Sequence, residues 1–167
     1  MVFRIAKILL VASAGLALLL VGADNLLDYD ANFEVVRHIA SMDALPRDAP
    51  LLWRAVTSPL LHHLAYWLII AAELASGALT LLGARRLYAG LRLPAARFNA
   101  AKETAAAGVA LGLLLYFFGF MVIGGEWFEM WRAGVWNMQE PAFRFIGCLG
   151  VVLIFLAQND SELDEGP

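Results

Sequence analysis

A single carboxylate, Glu73, interrupts the apolar stretch that runs from Leu60 to Leu82. A carboxylate in the middle of such a stretch costs about 2.5–3.5 kcal/mol on membrane-insertion scales. Carboxylates at that depth usually face the interior of a helix bundle and mark a proton, ion or polar-ligand site. His62 and Tyr66 lie near the same helical stripe. These three residues predict a ligand or proton site, and the alternative is a protonated, hydrogen-bonded structural glutamate that ties the second span to a neighbouring helix.

The three histidines of the chain suggest a second kind of chemistry, a metal or haem site. His62 and His63 are adjacent, so on a helix their side chains point about 100° apart and cannot both be axial ligands of one haem. A metal site would require His38, or nearby carboxylates, to converge with one of them. The alternative is that these histidines are polar ends of helices.

Motifs of soluble enzymes are missing from the sequence. It contains no nucleophile elbow, phosphate loop, zinc-hydrolase helix motif or dinucleotide fingerprint. The one cysteine, Cys148, is expected to be a small buried packing residue. The net charge of −3 disfavours nucleic-acid binding. The sequence therefore favours a protein that is not an enzyme, and it predicts no cofactor.

The composition indicates that membrane-spanning helices position these residues. Of the 167 residues, 61% are hydrophobic and 16% are charged, against about 45–50% and about 25% in soluble domains. A membrane-spanning helix needs roughly 20 mostly apolar residues. Four stretches qualify, at 5–23, 60–82, 104–123 and 142–157. We expect one all-α membrane domain over residues 1–167, a four-helix transmembrane bundle whose short interfacial helices form an outer cap.

The basic residues predict how this bundle is oriented. Seven of them, Arg4, Lys7, Arg85, Arg86, Arg92, Arg97 and Lys102, fall at the N-terminus and in the loop at 84–103. Short cytoplasmic loops carry such an excess, so both termini and the acidic tail at 158–167 should be cytoplasmic. A cleaved signal peptide is the alternative for the first span, although its apolar stretch exceeds the usual 7–15 residues.

The segments at 24–58 and 124–141 then lie outside, and we call them the cap. All five tryptophans fall in the cap or at the outer end of the second span, where an indole ring suits the membrane–water interface. An amphipathic helix is expected from about Ala31 to Asp43 with Asp30 as its N-cap, and Gly124-Gly125 is expected to end the third span. The cap residues predicted to form an interaction surface are Trp53, Arg54, Glu126, Trp127, Glu129, Trp131, Trp136 and Asn137.

Small residues predict how the helices pack, because helix association in lipid depends on close backbone approach. The third span offers Ala105, Gly108 and Gly112, and the second offers Ser76 and Gly83. The fourth span adds Gly147 and Gly150, which we also expect to pack inside the bundle rather than form a dimer seam.

Several segments together resemble the domain of unknown function 2165 family, which consists of predicted small integral membrane proteins of bacteria. They are Asp28-Tyr29, Asn32-Phe33, His38, Met42-Asp43, Trp53-Arg54-Ala55, Tyr66-Trp67-Leu68-Ile69-Ile70 with Glu73, Gly124-Gly125-Glu126-Trp127-Phe128, Met130-Trp131 and Trp136-Asn137. The resemblance implies the four-span layout and a bacterial plasma membrane, and it carries no activity.

The function expected first from these observations is an accessory or interaction subunit. It would use the aromatic cap to bind a membrane-protein partner or a second copy of the chain in the lipid bilayer. The alternative is a small or lipidic ligand, quinone-like or proton-coupled, bound around Glu73. A metal or haem site at His38, His62 and His63 is the third hypothesis.

Overall fold

The computed structural model describes residues 1–163, and over that range it is an all-α fold with no strands. Asp164 and Glu165 of the predicted acidic tail lie outside the described residues. The helices are α1 (Val2–Leu27), α2 (Tyr29–Ser41), α3 (Pro59–Ala89), α4 (Ala95–Ala100), α5 (Lys102–Leu114) and α6 (Gln139–Ala157). A π-helix at Leu115–Trp127 continues α5. Within this range, four helical segments are long and apolar enough to cross a membrane, at Val2–Leu27, Pro59–Ala89, Ala95–Trp127 and Gly134–Ala157. The predicted four-helix bundle is confirmed.

Close backbone contact joins α3 to both of its neighbours. A Cβ atom added to Gly77 of α3 would lie 2.8 Å from the main-chain nitrogen of Leu19 in α1. A Cβ atom added to Gly108 of α5 would lie 2.5 Å from the main-chain nitrogen of Thr80. At the same crossing, Ser76 Oγ donates a hydrogen bond of 2.7 Å to the carbonyl oxygen of Gly108. The glycines therefore make α3 the central helix of the bundle, as helix packing in lipid requires.

The small residues of α6 do not bring this helix into close contact with a neighbouring helix. Nothing lies within 4 Å of a Cβ atom added to Gly147 or Gly150, and Cys148 is exposed. The prediction that these residues pack inside the bundle is wrong, because Leu149, Val152 and Leu156 form the buried face of α6 instead.

Substitution at the α3–α5 crossing should destabilise the bundle. Gly108→Ala should lower the free energy of unfolding by about 1–3 kcal/mol, because the added methyl group forces the two backbones apart. Gly150→Ala is the matched control and should leave stability unchanged, since its methyl group enters open space. Thermal or denaturant unfolding in detergent measures both variants. Equal stability of the two variants would contradict the packing described here.

The third span widens halfway along its length. From Leu115 its helix is a π-helix, and the Phe128 amide still donates to the Ile123 carbonyl, five residues earlier, at 3.1 Å. Gly124-Gly125 therefore does not end the span as predicted, and the helix continues to Trp127. The chain turns at Glu129, whose φ of 51° is left-handed.

The cap has two small cores of its own. Ile39 of α2 packs with Met130 and Ala133, whereas Met42, Leu45 and Ala49 form the second core. Short 3-10 turns at Leu52–Arg54, Met130–Arg132 and Gly134–Trp136 complete the cap. Because α2 begins at Tyr29, Asp30 lies in its first turn and is not the N-cap that we predicted.

Buried ion pairs close the opposite end of the bundle, which we call the basic end. Asp160 Oδ2 lies 2.6 Å from Lys7 Nζ and 2.5 Å from Lys102 Nζ, and all three side chains are at most 10% exposed. Arg4 is 1% exposed and donates to the carbonyl oxygens of Leu91, Leu93 and Ser161. These contacts hold the chain that follows α6 against α1 and α5.

Candidate functional site

Glu73 lies inside the bundle, on the buried stripe of α3, and is 2% exposed. His62, Tyr66 and Ile70 share that stripe on the side of the cap. Gly22 of α1 faces it, since a Cβ atom added there would lie 3.2 Å from Glu73 Cβ. A glycine at this crossing therefore brings α1 close to the carboxylate.

Hydrogen-bond donors from two other helices point at the Glu73 carboxylate. Asn25 of α1 donates from Nδ2 to Oε2 at 2.7 Å, and the Tyr116 hydroxyl donates to Oε1 at 3.1 Å. Asn32 of α2 donates to Asn25 Oδ1 at 2.7 Å, which orients the Asn25 amide toward Glu73. Among residues 1–163, no basic side chain forms an ion pair with Glu73. Within the described residues, the hydrogen-bond partners of the Glu73 side chain are therefore all neutral.

The elements around Glu73 explain how these donors reach it. Asn25 lies in the last turn of α1, and Asn32 lies at the start of α2 beyond the bend at Asp28. Tyr116 follows the first residue of the π-helix. Such wide turns inside α-helices occur frequently at functional sites. The Tyr66 hydroxyl, from α3 itself, donates to the main-chain oxygen of Asn25 at 3.3 Å and fixes the end of α1 against α3.

A partly open cavity of about 190 Å³ lies beside the carboxylate. Glu73, Asn25, Asn32, Tyr66 and Tyr116 form its polar wall. The apolar wall consists of Val21, Val35, Val36, Ile69, Phe120, Met138, Pro141, Ala142 and Phe145. The cavity thus extends from mid-span to the cap, between α1, α2, α3, the π-helix and α6. It is large enough to hold several water molecules or a small polar group.

The unused hydrogen-bonding capacity of the Glu73 carboxylate indicates what this cavity can bind. Each carboxylate oxygen carries two lone pairs, and each Glu73 oxygen accepts only one hydrogen bond from the protein. The remaining acceptor capacity is available to a group in the cavity. A hydroxyl or an ammonium group would supply the missing donor, and an ammonium group would also supply the missing countercharge.

The histidines do not form part of this site. His62 Nε2 lies 2.6 Å from the carbonyl oxygen of Val56, and the His63 ring stacks on Phe33 with ring centroids 4.1 Å apart. His38 Nδ1 lies 2.7 Å from Asp43 Oδ1, and its ring stacks on Trp136. In the part of the chain that the structure describes, no three His, Cys, Asp or Glu residues form a group that could hold a metal ion. The metal hypothesis gains no support from this geometry.

The predicted cap residues form two groups. In the first, the Arg54 guanidinium lies over the rings of Trp127 and Trp53, 4.7 Å and 5.4 Å from their centroids. Arg54 also donates to the main-chain oxygens of Glu126 and Trp127. Trp53 is 70% exposed and Trp127 is 46% exposed. This group forms an exposed aromatic surface.

The second group organises the turns that precede α6. Glu129 is 9% exposed and pairs with Arg132 at 3.0 Å. Asn137 Oδ1 accepts a hydrogen bond from the first main-chain amide of α6, at Gln139. Trp136 is held against His38, whereas Trp131 is 56% exposed and is the member of this group that is free to contact a partner.

Three residues of the Glu73 site were missed from the sequence: Asn25, Asn32 and Tyr116. Tyr116 carries a usable signal, because it and Thr104 are the only polar side chains in the stretch at 104–123. The two asparagines carry no comparable signal, since amides near helix ends are common. Their role depends on the bend between α1 and α2.

Comparison with known proteins gives one result. A family model described as "Predicted small integral membrane protein (DUF2165)" matches residues 3–159. No curated protein and no solved structure gives a significant match to the chain.

Proposed function

From the premise that this chain belongs to the domain of unknown function 2165 family of predicted small integral membrane proteins, we propose that it binds a ligand in the Glu73 cavity. The ligand carries a polar head group that donates a hydrogen bond to the carboxylate. One observation carries the proposal: a buried carboxylate that has no ion-pair partner among residues 1–163 lines a partly open cavity.

The physical cost of this arrangement supports a functional role. A buried carboxylate loses its hydration and is stabilised only when its remaining acceptors are satisfied. Two neutral donors meet half of its acceptor capacity, and the cavity leaves room for a further donor. A bound hydrogen-bond donor would offset that cost. Intramembrane carboxylates at ligand and proton sites are stabilised by such partners.

Native mass spectrometry tests this proposal on protein purified in a mild detergent. We expect the wild-type protein to carry a small molecule at one copy per chain, which solvent extraction then identifies. Glu73→Gln should lose most of it, whereas Glu103→Gln, at an exposed glutamate of α5, should retain it. Wild-type protein without a bound molecule, or equal retention by Glu73→Gln, would contradict the proposal.

The exposed aromatic surface of the cap supports a second candidate function, that of an accessory subunit. Exposed tryptophan and arginine side chains dominate binding energies at protein interfaces. Trp53, Arg54 and Trp127 together would bind a membrane-protein partner or a second copy of the chain. A stoichiometric partner that is recovered with the wild-type protein and lost from Trp53→Ala would support this role.

We also propose that the cap faces the outside of a bacterial plasma membrane, with both termini in the cytoplasm. The excess of Lys and Arg at the basic end supports this orientation. A C-terminal fusion to green fluorescent protein should therefore be fluorescent, and a C-terminal fusion to alkaline phosphatase should be inactive. The reverse pattern would contradict the orientation.

A further inference from the structure

A second cavity of about 460 Å³ lies between α1 and α6 on the membrane-embedded surface. Its lining is almost entirely apolar. It consists of Leu10, Ser13, Ala14, Ala17 and Leu18 from α1, and of Arg144, Phe145, Cys148, Leu149 and Val152 from α6. We call it the α1–α6 groove. Its volume falls within the range of about 300–1,000 Å³ that is usual for ligand pockets, whereas the Glu73 cavity alone is smaller.

Small side chains keep this groove open. Ser13, Ala14 and Ala17 on α1 oppose Cys148 on α6, and Cys148 is exposed. The buried and exposed faces of α6 explain why Cys148 is not the buried packing residue that we predicted. At the α3 crossings small residues bring the helices together, but here they leave a gap. Because the gap is apolar and lies at membrane depth, hydrocarbon fills it more favourably than water does.

The groove and the Glu73 cavity adjoin each other at Phe145, in the seam between α1 and α6. Phe145 lines both of them, and its ring stacks on Tyr116 with centroids 4.3 Å apart and planes 8° apart. On α1, Val21 of the cavity follows Leu18 of the groove by less than one helical turn. Phe145 thus stands where the apolar groove meets the polar cavity, in contact with a tyrosine that donates to Glu73.

We infer that the ligand of the Glu73 site is a single-chain amphiphile of the bilayer, an inference that rests on the proposed function. Its head group, a hydroxyl or an ammonium group, donates to Glu73, and its hydrocarbon chain lies in the α1–α6 groove. We assign one hydrocarbon chain to this groove, and its opening toward lipid lets the ligand enter sideways past Phe145. An anionic head group offers Glu73 no hydrogen-bond donor, so we expect it to bind more weakly.

Photocrosslinking in lipid nanodiscs tests this inference with the full chain. The probe is a long-chain alkylamine that carries a diazirine near the end of its chain, and peptide mass spectrometry maps the crosslinked residues. We expect crosslinks on residues 10–18 of α1 and 144–152 of α6. The matched long-chain alcohol should give the same pattern, because its hydroxyl group can also donate a hydrogen bond to Glu73. The matched carboxylic acid should crosslink at least about tenfold less, because it places a second acceptor against Glu73.

Three variants complete the experiment. Glu73→Gln should reduce the alkylamine crosslinks at least about tenfold, since it removes the charge-assisted hydrogen bond. Cys148→Phe should reduce them equally by filling the groove, whereas Val151→Phe should not, because Val151 is 66% exposed on α6 and does not line the groove. Ala17→Phe replaces Cys148→Phe if the latter changes thermal stability.

The outcomes separate this inference from the proposed function. If native mass spectrometry finds a ligand that depends on Glu73, but the alkylamine does not crosslink in the groove, the inference is overturned and the proposed function stands. Crosslinks that are equal for the amine and the acid, or unchanged in Glu73→Gln, also overturn it, because the groove then binds chains without the carboxylate. If no ligand depends on Glu73, both proposals fail.

Discussion

Glu73→Gln should weaken ligand binding by about 10- to 100-fold while leaving the bundle folded. Hydrogen bonds to a charged group contribute about 1.5–3 kcal/mol, and the amide forfeits that contribution. The fold survives, because the glutamine oxygen can accept from Asn25 while its amide group donates to the Tyr116 oxygen. Equilibrium titration of the detergent-solubilised protein with the alkylamine measures the affinity, and thermal unfolding measures the stability.

Glu73→Leu separates the binding role of the carboxyl group from its structural role. Leucine leaves the donors of Asn25 and Tyr116 buried without an acceptor, which costs about 1–3 kcal/mol for each of them. We therefore expect Glu73→Leu to lose both affinity and stability, and Glu73→Gln to lose affinity alone. If Glu73→Gln binds as tightly as the wild-type protein, or is as unstable as Glu73→Leu, Glu73 is a structural residue.

Asp160→Asn should lower the free energy of unfolding by about 3 kcal/mol. Removing one member of a buried ion pair leaves its partner uncompensated, and here Lys7 and Lys102 both lose their countercharge. The matched control is Glu140→Gln, which breaks the exposed Glu140–Arg144 pair on α6 and should cost at most about 0.5 kcal/mol. Denaturant unfolding in detergent compares the two variants, and equal losses would show that the basic end is not a buried network.

The same ion pairs predict how stability depends on pH. Burial alone would raise the pKa of Asp160, but the hydrogen bonds from Lys102 and Lys7 outweigh it and hold that pKa below its ordinary value. A lowered pKa in the folded state stabilises the protein above the unfolded pKa of about 3.9, and this stabilisation is lost as the pH falls through the folded value. We expect the Asp160 contribution to be constant from pH 7 to about 5 and to be lost progressively below it. Asp160→Asn should lack this acid transition.

The sequence predicted the bundle and its most unusual residue for the same reason. Apolar stretches long enough to cross a bilayer are unambiguous, and one carboxylate within such a stretch is conspicuous. Tyr66 was predicted from its place on the stripe of Glu73 and lines the cavity. His62 shares that stripe, but it lies near the start of α3 and bonds the Val56 carbonyl instead.

The rest of the site depends on tertiary structure that a single sequence does not encode in its local pattern. Asn25 and Asn32 become partners of Glu73 only because α1 bends into α2 above the carboxylate. The α1–α6 groove could not be foreseen either. Small residues serve equally for close packing, as at Gly108, and for an open gap, as at Cys148, and the choice depends on which face of the helix turns inward.

The electron density of the protein crystallised from lipid, with no ligand added, tests the central claim most directly. We predict elongated non-protein density that begins within hydrogen-bonding distance of the Glu73 carboxylate and passes Phe145 into the α1–α6 groove. A cavity that contains only isolated water peaks, or a Glu73 side chain enclosed by protein with no cavity beside it, would contradict the claim.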